Sequence, residues 1–318
     1  MLNRPAQAPS AVVMIRPHHF CSNPQTMPDN AYQTDHAASP GNSNTAEQAI
    51  AAQAYQEVSH VAQQLTAHGV KVHLFEDEST STPDSVFPNN WFSTHADGQL
   101  LVYPMYAPNR RLEYRADIIE FLQREYQVQA VHNYAYLAEQ GLFVEGTGSL
   151  VIDHVHQLAY AVLSKRTDAA LVPEICQQLK LTPVLFQAFD EQGLAVYHTN
   201  VMMCVASRFV LISLEMVPDT QRAVLLKHFA QSGQQVIDLT PSQIRHFCGN
   251  ALELTGSKGS LLALSQAAYQ ALSTQQITQI SQFTTLLPLA VPTIESAGGS
   301  VRCMLAGIHL QPRSETTA

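Results

Sequence analysis

Residues 145–164, EGTGSLVIDHVHQLAYAVLS, decide the fold because their pattern recurs along the chain. In each copy a polar residue precedes an apolar run of β-forming residues, a turn follows, and a second apolar run comes next. The copies begin with NNWF at Asn89, EGTG at Glu145, HTNV at His198, NALE at Asn250 and CMLA at Cys303. The starts lie 52 to 56 residues apart, and a repeat of that length is typical of an array of supersecondary units.

Helical segments separate the hairpins, at 110–126, 167–179, 218–232 and 273–283, and β runs such as 183–186 and 235–239 follow them. The chain therefore contains β–β–α–β units, of which the fifth is cut to half length by the C-terminus. A strand at 12–15 is expected beside this incomplete fifth copy, which would close the array into a ring. The sequence predicts an α/β fold of this kind, and an α+β domain with coincidental spacing is the alternative.

One domain is expected over residues 11–310, with loose ends at 1–10 and 311–318. Residues 46–68 predict a helix that stops at Gly69. Residues 21–43 are rich in Asn, Pro, Ser and Asp, and a loop of that length in a compact domain is usually functional. We interpret it as a lid.

Composition excludes several classes of function. The 318 residues hold 17 Lys and Arg against 26 Asp and Glu, a net charge of −9, which argues against a nucleic-acid partner. No run approaches 18 apolar residues, so no membrane span is expected. Five cysteines without a CxxC pair argue against a disulfide framework and a zinc site. The sequence thus predicts a cytoplasmic protein with reduced thiols.

The residues that open the repeats are candidates for a catalytic site, because closure would bring them to one axis. Cys303, His198 and Glu145 have the chemistry of a nucleophile, an acid–base group and an orienting carboxylate. Asn250 opens the fourth repeat and is expected to contact the substrate. Cys248 lies one position out of register and is the alternative nucleophile.

Other residues suit substrate binding. Asp84 and Asn90 could offer oxygens to N–H groups, with Trp91, the only tryptophan, as a wall of the slot. Arg111 and Arg166 each follow a β run and could hold a carboxylate with two hydrogen bonds.

A denser cluster of possible ligands, DHVH at 153–156, lies in a predicted hairpin turn. It has no third ligand at the usual spacing, so no metal site is predicted there.

These motifs, in this order, resemble the guanidino-group-modifying enzymes, or penteins, from about residue 11 to residue 310. That superfamily includes dimethylarginine dimethylaminohydrolases, arginine deiminases, amidinotransferases and succinylarginine dihydrolase. The chain looks most similar to bacterial citrulline hydrolases of the amidinotransferase-like group. The resemblance implies a five-bladed ββαβ propeller, with Cys303 as nucleophile, His198 as acid–base residue and Glu145 as its carboxylate partner.

The resemblance also suggests roles around the substrate. Arg111 and Arg166 match arginines that bind the α-carboxylate, and Asp84 matches an acidic residue near the amino-acid end. Asn90 falls where relatives that bind a cationic guanidinium carry Asp. Because an amide can pair with a neutral ureido group, this difference favours citrulline over arginine.

The expected function is that of a cofactor-free cysteine hydrolase in arginine metabolism, which converts citrulline to ornithine, CO2 and ammonia. Amidino transfer is an alternative, as is hydrolysis of arginine, a methylarginine or succinylarginine. A non-catalytic binding ring of the same fold is the alternative from another class. The expected partner is a small amino acid, with no nucleic acid and no membrane, and the chain could form a homodimer.

Overall fold

Five small mixed sheets organise the described part of this computed structural model, which comprises residues 6–34 and 44–313. Their strands, in chain order, are β1 (Ala11–Pro17), β2 (Lys71–Asp77), β3 (Phe92–Thr94), β4 (Gln99–Val102), β5 (Ala130–Asn133), β6 (Leu150–Asp153), β7 (Leu158–Val162), β8 (Thr182–Phe186), β9 (Met203–Val205), β10 (Phe209–Ile212), β11 (Gln235–Asp238), β12 (Leu252–Gly256), β13 (Gly259–Ser265), β14 (Thr285–Leu289) and β15 (Ala306–Ile308).

All five sheets share one pairing pattern. The sheets are β3-β4-β5, β6-β7-β8, β9-β10-β11, β12-β13-β14 and β15-β1-β2. In each, the first two strands pair antiparallel and the last two pair parallel. A parallel pair needs a crossover connection, and helical segments supply it in every sheet.

The α-helices are α1 (Asn44–Ala67), α2 (Ala116–Glu125), α3 (Gly146–Ser149), α4 (Leu171–Leu179), α5 (Thr199–Met202), α6 (Asp219–Gln231), α7 (Pro241–Arg245), α8 (Gln266–Ala271), α9 (Thr274–Ser281) and α10 (Pro292–Glu295). Short 3-10 helices span Met27–Asp29, Pro88–Asn90, Pro108–Glu113 and Ala135–Gln140. In the described ranges, no helix has both the length and the apolar character needed to cross a bilayer.

The N-terminal strand completes the fifth unit, as the sequence predicts. β1 pairs antiparallel with β15, so that Val12 lies opposite Gly307, and pairs parallel with β2 on its other edge. β1 is buried on both faces. Val12 and Met14 pack into one apolar cluster, whereas Val13 and Ile15 pack into another. This alternation lets one strand join two neighbouring parts of the core.

Two local features differ from the sequence prediction. The first three repeats open with one helical turn rather than with a strand, at Pro88–Asn90, Gly146–Ser149 and Thr199–Met202. Each turn follows a polar opening residue or contains it, so the polar side chains lie before the strands.

The predicted loose ends are also bonded where the structure describes them. The Gln7 amide donates to the backbone oxygens of Ile152 and Val205, and Arg313 N–H donates to the oxygen of Glu125. Backbone and side-chain groups of other units therefore hold both ends.

Candidate active site

Cys303 lies in the turn before β15, with 3% of its surface exposed. Two amides donate to its Sγ atom, Asn250 Nδ2 at 3.2 Å and Asn200 Nδ2 at 3.4 Å. Amide N–H groups aimed at a sulfur stabilise negative charge on it. The two asparagines therefore would stabilise a thiolate at Cys303.

The Asn250 side chain makes three hydrogen bonds within the protein and does not line the cleft that holds Cys303, which corrects its predicted contact with the substrate. Its Oδ1 accepts from the Arg302 N–H at 3.0 Å, and its Nδ2 donates to the Asn200 oxygen at 2.9 Å as well as to Sγ. Its amide is thus used up in positioning Cys303. Sequence reasoning missed Asn200, whose only signal is its place two residues after His198 in a repeat opening.

His198 and Glu145 form a buried pair, with Nε2 and Oε2 2.8 Å apart. They are 2% and 0% exposed. The second carboxylate oxygen accepts from the Tyr106 N–H at 2.8 Å. Since a carboxylate only accepts, Nε2 carries the proton, which leaves Nδ1 of the neutral imidazole as the acceptor.

Charges around Glu145 keep it ionised. Burial opposes ionisation, but Arg166, His198 and Arg110 outweigh it and hold the pKa of Glu145 at about 2. Burial lowers the pKa of His198, although Glu145 opposes this effect. The pair is therefore a neutral imidazole beside a carboxylate at neutral pH, which is the state a general base requires.

A narrow cleft brings Cys303 and His198 together with Asp84, Asn90 and Arg166. Two of its buried polar atoms, Asp84 Oδ1 and Asn90 Nδ2, have no hydrogen-bond partner within residues 6–34 and 44–313. One is an acceptor and the other a donor. The cleft therefore offers one hydrogen bond of each kind to a ligand.

Gly148 allows this arrangement. A Cβ atom on Gly148 would lie 2.3 Å from Asn90 Nδ2 and 2.8 Å from His198 Nδ1. Both distances are shorter than a real Cβ contact, so only glycine lets the amide and the imidazole approach this closely.

Arg110, rather than the predicted Arg111, lines the cleft. Arg110 donates to Glu113 through two bonds of 2.9 Å and to Asn90 Oδ1 at 2.9 Å. Arg111 instead donates to the backbone oxygens of Met105 and Tyr106 outside the cleft. The two arginines are adjacent on a 3-10 helix, so their side chains leave in different directions, and the sequence does not show which is buried.

Lysine substitutions test this correction. Arg110→Lys removes the two-bond pairing with Glu113, and we expect kcat/KM to fall about 10- to 100-fold. Arg111→Lys is the matched control and should stay within about threefold of the wild type. Steady-state kinetics with the preferred substrate, beside thermal melts of both variants, measure the effect. Equal losses in the two variants would contradict the assignment.

Arg166 already holds a carboxylate of the chain itself. Its Nε and Nη2 donate to Asp29 at 2.8 and 2.7 Å, and its guanidinium carbon lies 4.8 Å from the centre of the Tyr197 ring. Asp29 belongs to the predicted lid, whose residues Thr26 and Asn30 also line the cleft. Residues 35–43 of that predicted lid lie outside the described residues.

Two further predictions need correction. Trp91 is 1% exposed and packs against Phe92 and Tyr114, with ring centres 4.4 and 5.9 Å apart, so it belongs to the core and does not line the cleft. Cys248 is also outside the cleft. Its thiol donates to the Ala268 oxygen at 3.3 Å, and burial raises its pKa to about 12, as for an inert core cysteine.

A cysteine, a histidine and a carboxylate at the openings of three of the five ββαβ-like units define a guanidino-group-modifying enzyme of the pentein type. The sequence model of the family described as N,N dimethylarginine dimethylhydrolase, eukaryotic, matches residues 16–310, and the chain belongs to this family. A comparison with curated protein sequences found no match.

Solved structures share the fold at low sequence identity. The N-terminal domain of ArgZ, a cyanobacterial arginine dihydrolase bound to substrate, is 15% identical with a TM-score of 0.71, over 94% of this chain and 97% of that one. A mutant of AgrE in complex with L-arginine is 17% identical with a TM-score of 0.72, over 96% of this chain and 41% of that one. A dimethylarginine dimethylaminohydrolase adduct with S-methyl-L-thiocitrulline is 14% identical with a TM-score of 0.62, over 94% and 99%. The chain spans about two-fifths of the full-length ArgZ and AgrE chains.

Proposed function

We propose that the protein is a cofactor-free cysteine hydrolase that converts citrulline to ornithine, CO2 and ammonia. Membership of a family of guanidino-group hydrolases supports the reaction type. The choice of a ureido substrate rests on one observation, the unpartnered Nδ2 of Asn90 in the cleft.

The orientation of the Asn90 amide is set by its neighbour. Arg110 can only donate, so the oxygen of Asn90 must face it, and the NH2 group is left toward the cleft. A ureido group carries a C=O that accepts this bond, whereas a guanidinium has no acceptor. With a guanidinium, the buried donor would stay unsatisfied, at a cost of roughly 1–3 kcal/mol.

The cleft also offers a hydrogen-bond acceptor. Asp84 is the one carboxylate among its described lining residues, and Arg110 and Arg166 in its wall are each paired with a carboxylate, Glu113 and Asp29. Asp84 Oδ1 would then accept from an N–H of the substrate.

The reaction proceeds in two steps on this scheme. Sγ of Cys303 attacks the ureido carbon, the bond from that carbon to the side-chain nitrogen breaks, and His198 passes the thiol proton to the leaving amine. Ornithine is released, and Cys303 then carries an S-carbamoyl group. Water then attacks the carbonyl carbon, His198 returns a proton to Sγ as the C–S bond breaks, and the released carbamic acid decomposes to CO2 and ammonia.

Arg166 is assigned to the α-carboxylate of the substrate. Its two hydrogen bonds to the Asp29 carboxylate support this role, because a guanidinium in that geometry can bind any carboxylate in the same place. The substrate carboxylate would replace that of Asp29.

We also propose that the five sheets close into a propeller, since the first strand of every sheet contributes to one shared cavity.

Arginine is the second candidate substrate. ArgZ is an arginine dihydrolase, and a mutant of AgrE was solved with L-arginine. A panel of citrulline, arginine, methylarginines and succinylarginine, scored for ornithine and ammonia, separates the two candidates.

Asn90→Asp tests whether the residue at position 90 distinguishes a neutral substrate from a cationic one. The change removes the donor to the ureido oxygen and adds a buried negative charge, so kcat/KM for citrulline should fall about 30- to 1,000-fold. Arginine should lose much less or gain, because the new carboxylate pairs with its guanidinium. The measurement is the ratio of the two kcat/KM values.

Asn89→Asp provides the matched control, since Asn89 is equally buried but does not line the cleft. Its citrulline-to-arginine ratio should equal that of the wild type. If Asn90→Asp left the ratio of kcat/KM for citrulline to kcat/KM for arginine unchanged, Asn90 would not distinguish a neutral substrate from a cationic one.

A further inference from the structure

A second cavity lies among the first strands of the five sheets. We call it the inner-strand cavity, and its wall includes Ser93 of β3, Ile152 of β6, Cys204 of β9, Leu252 of β12 and Gly307 of β15. None of its lining residues also lines the cleft of Cys303. It is therefore a separate site.

Three imidazoles and one guanidinium line this cavity. The rings of His154 and His309 stack with centres 3.8 Å apart, and the centre of the His95 ring lies 6.0 Å from that of His154. The Arg302 side chain completes the set. His154 belongs to the DHVH turn, but His156 of that turn pairs with Asp153 instead, at 2.9 Å.

The positive charge of Arg302 has no ion-pair partner among the described residues. Arg302 Nη1 donates to the Leu305 oxygen at 3.0 Å, and no carboxylate in the described chain lies within 4.0 Å of its side-chain nitrogens. No Asp or Glu is among the described residues of the wall. A guanidinium away from open solvent normally has such a partner.

We propose that the inner-strand cavity binds a small oxyanion, which Arg302 and the imidazoles of His154 and His309 hold by charge-assisted hydrogen bonds. A guanidinium and neighbouring imidazole N–H groups are the donors that sulfate, phosphate and carboxylate groups prefer. The described residues contain no set of three or more His, Cys, Asp or Glu side chains placed for a metal ion, so a cation does not explain the cluster.

Without a ligand, the three imidazoles are neutral at neutral pH. Burial and the neighbouring His95 and Arg302 lower the pKa of His309 to about 3, and burial with His309, His95 and Arg302 lowers that of His154. Burial lowers the pKa of His95 to about 4, against a small opposing effect of Asp97. A bound anion favours the protonated imidazoles, so binding should tighten as the pH falls.

Sulfate is the probe, because its charge does not change between pH 5 and pH 8. Calorimetric titration of the whole protein should show saturable binding of one sulfate at pH 7, and the binding should tighten as the pH is lowered toward 5. Succinate, tested in parallel, distinguishes a tetrahedral from a planar oxyanion. No saturable binding of either ion would overturn the proposal.

Two glutamine variants locate the binding. His309→Gln should weaken the association constant at least about tenfold, since it removes a charge-assisted donor. His156→Gln, on the exposed turn beside His154, should leave it unchanged. Equal affinities of the two variants would place the anion elsewhere and refute the site.

A measurement on the wild type covers the case in which His309→Gln does not fold. Crystals soaked in selenate should give an anomalous peak inside the inner-strand cavity against Arg302. A peak at another position, or none, would overturn the proposal as well.

Discussion

Cys303→Ser is expected to abolish turnover, with a loss of at least about 1,000-fold in kcat, while the melting temperature stays close to that of the wild type. A serine hydroxyl at this position nearly keeps the volume of the side chain but is a poor nucleophile at neutral pH, because its pKa lies far above that of a thiol. Ornithine release in a stopped assay measures the effect.

Cys248→Ser serves as the matched control. Cys248 is buried outside the cleft and its thiol donates to a backbone oxygen, a bond that serine can also make. Its activity should therefore stay within a few-fold of the wild type. If Cys303→Ser kept more than a few per cent of the activity, or if Cys248→Ser alone lost it, the nucleophile would have to be assigned to another residue than Cys303.

His198→Ala should be almost as damaging, by about 100- to 10,000-fold in kcat, because both steps of the scheme pass a proton through this imidazole. Glu145→Gln should lose part of the same activity, since the amide can no longer stabilise an imidazolium. The double variant should be no worse than His198→Ala alone, because Glu145 acts through His198.

His60→Ala on the exposed face of α1 is the control for histidine removal and should behave as the wild type. Additive losses in the double variant would contradict the assignment, since they would show that Glu145 acts independently of His198. Kinetics over a pH series from 5 to 9 should show the basic form of His198 as the active one in kcat/KM.

The repeat and the residues at its openings could be predicted because they depend on period and polarity. Glu145, His198 and Cys303 open the second, third and fifth units, so closure of the array about one axis would bring the three together. The pairing of β1 with β15 follows from the half-length fifth copy in the same way.

The remaining parts of the site depend on whether a side chain points into the cleft or into the core, and the sequence pattern does not show this. The two adjacent arginines in NRRLE differ in burial because of the local 3-10 geometry, so the sequence alone does not show that Arg110, rather than the predicted Arg111, lines the cleft. Trp91 follows the cleft residue Asn90 directly but points into the core. The partner of Arg166, Asp29, lies 137 positions away in a segment without periodicity, so no pattern connects them.

The central claim is that Cys303 is a nucleophile in a cleft that recognises a ureido group. Labelling with 2-chloroacetamidine, followed by peptide mass mapping, tests it most directly, because the reagent alkylates an activated thiol at a guanidinium or ureido site. We predict rapid modification of Cys303 alone, slowed by citrulline more than by arginine at equal concentration. Modification of another cysteine, or labelling of Cys303 that neither amino acid slows, would contradict the account.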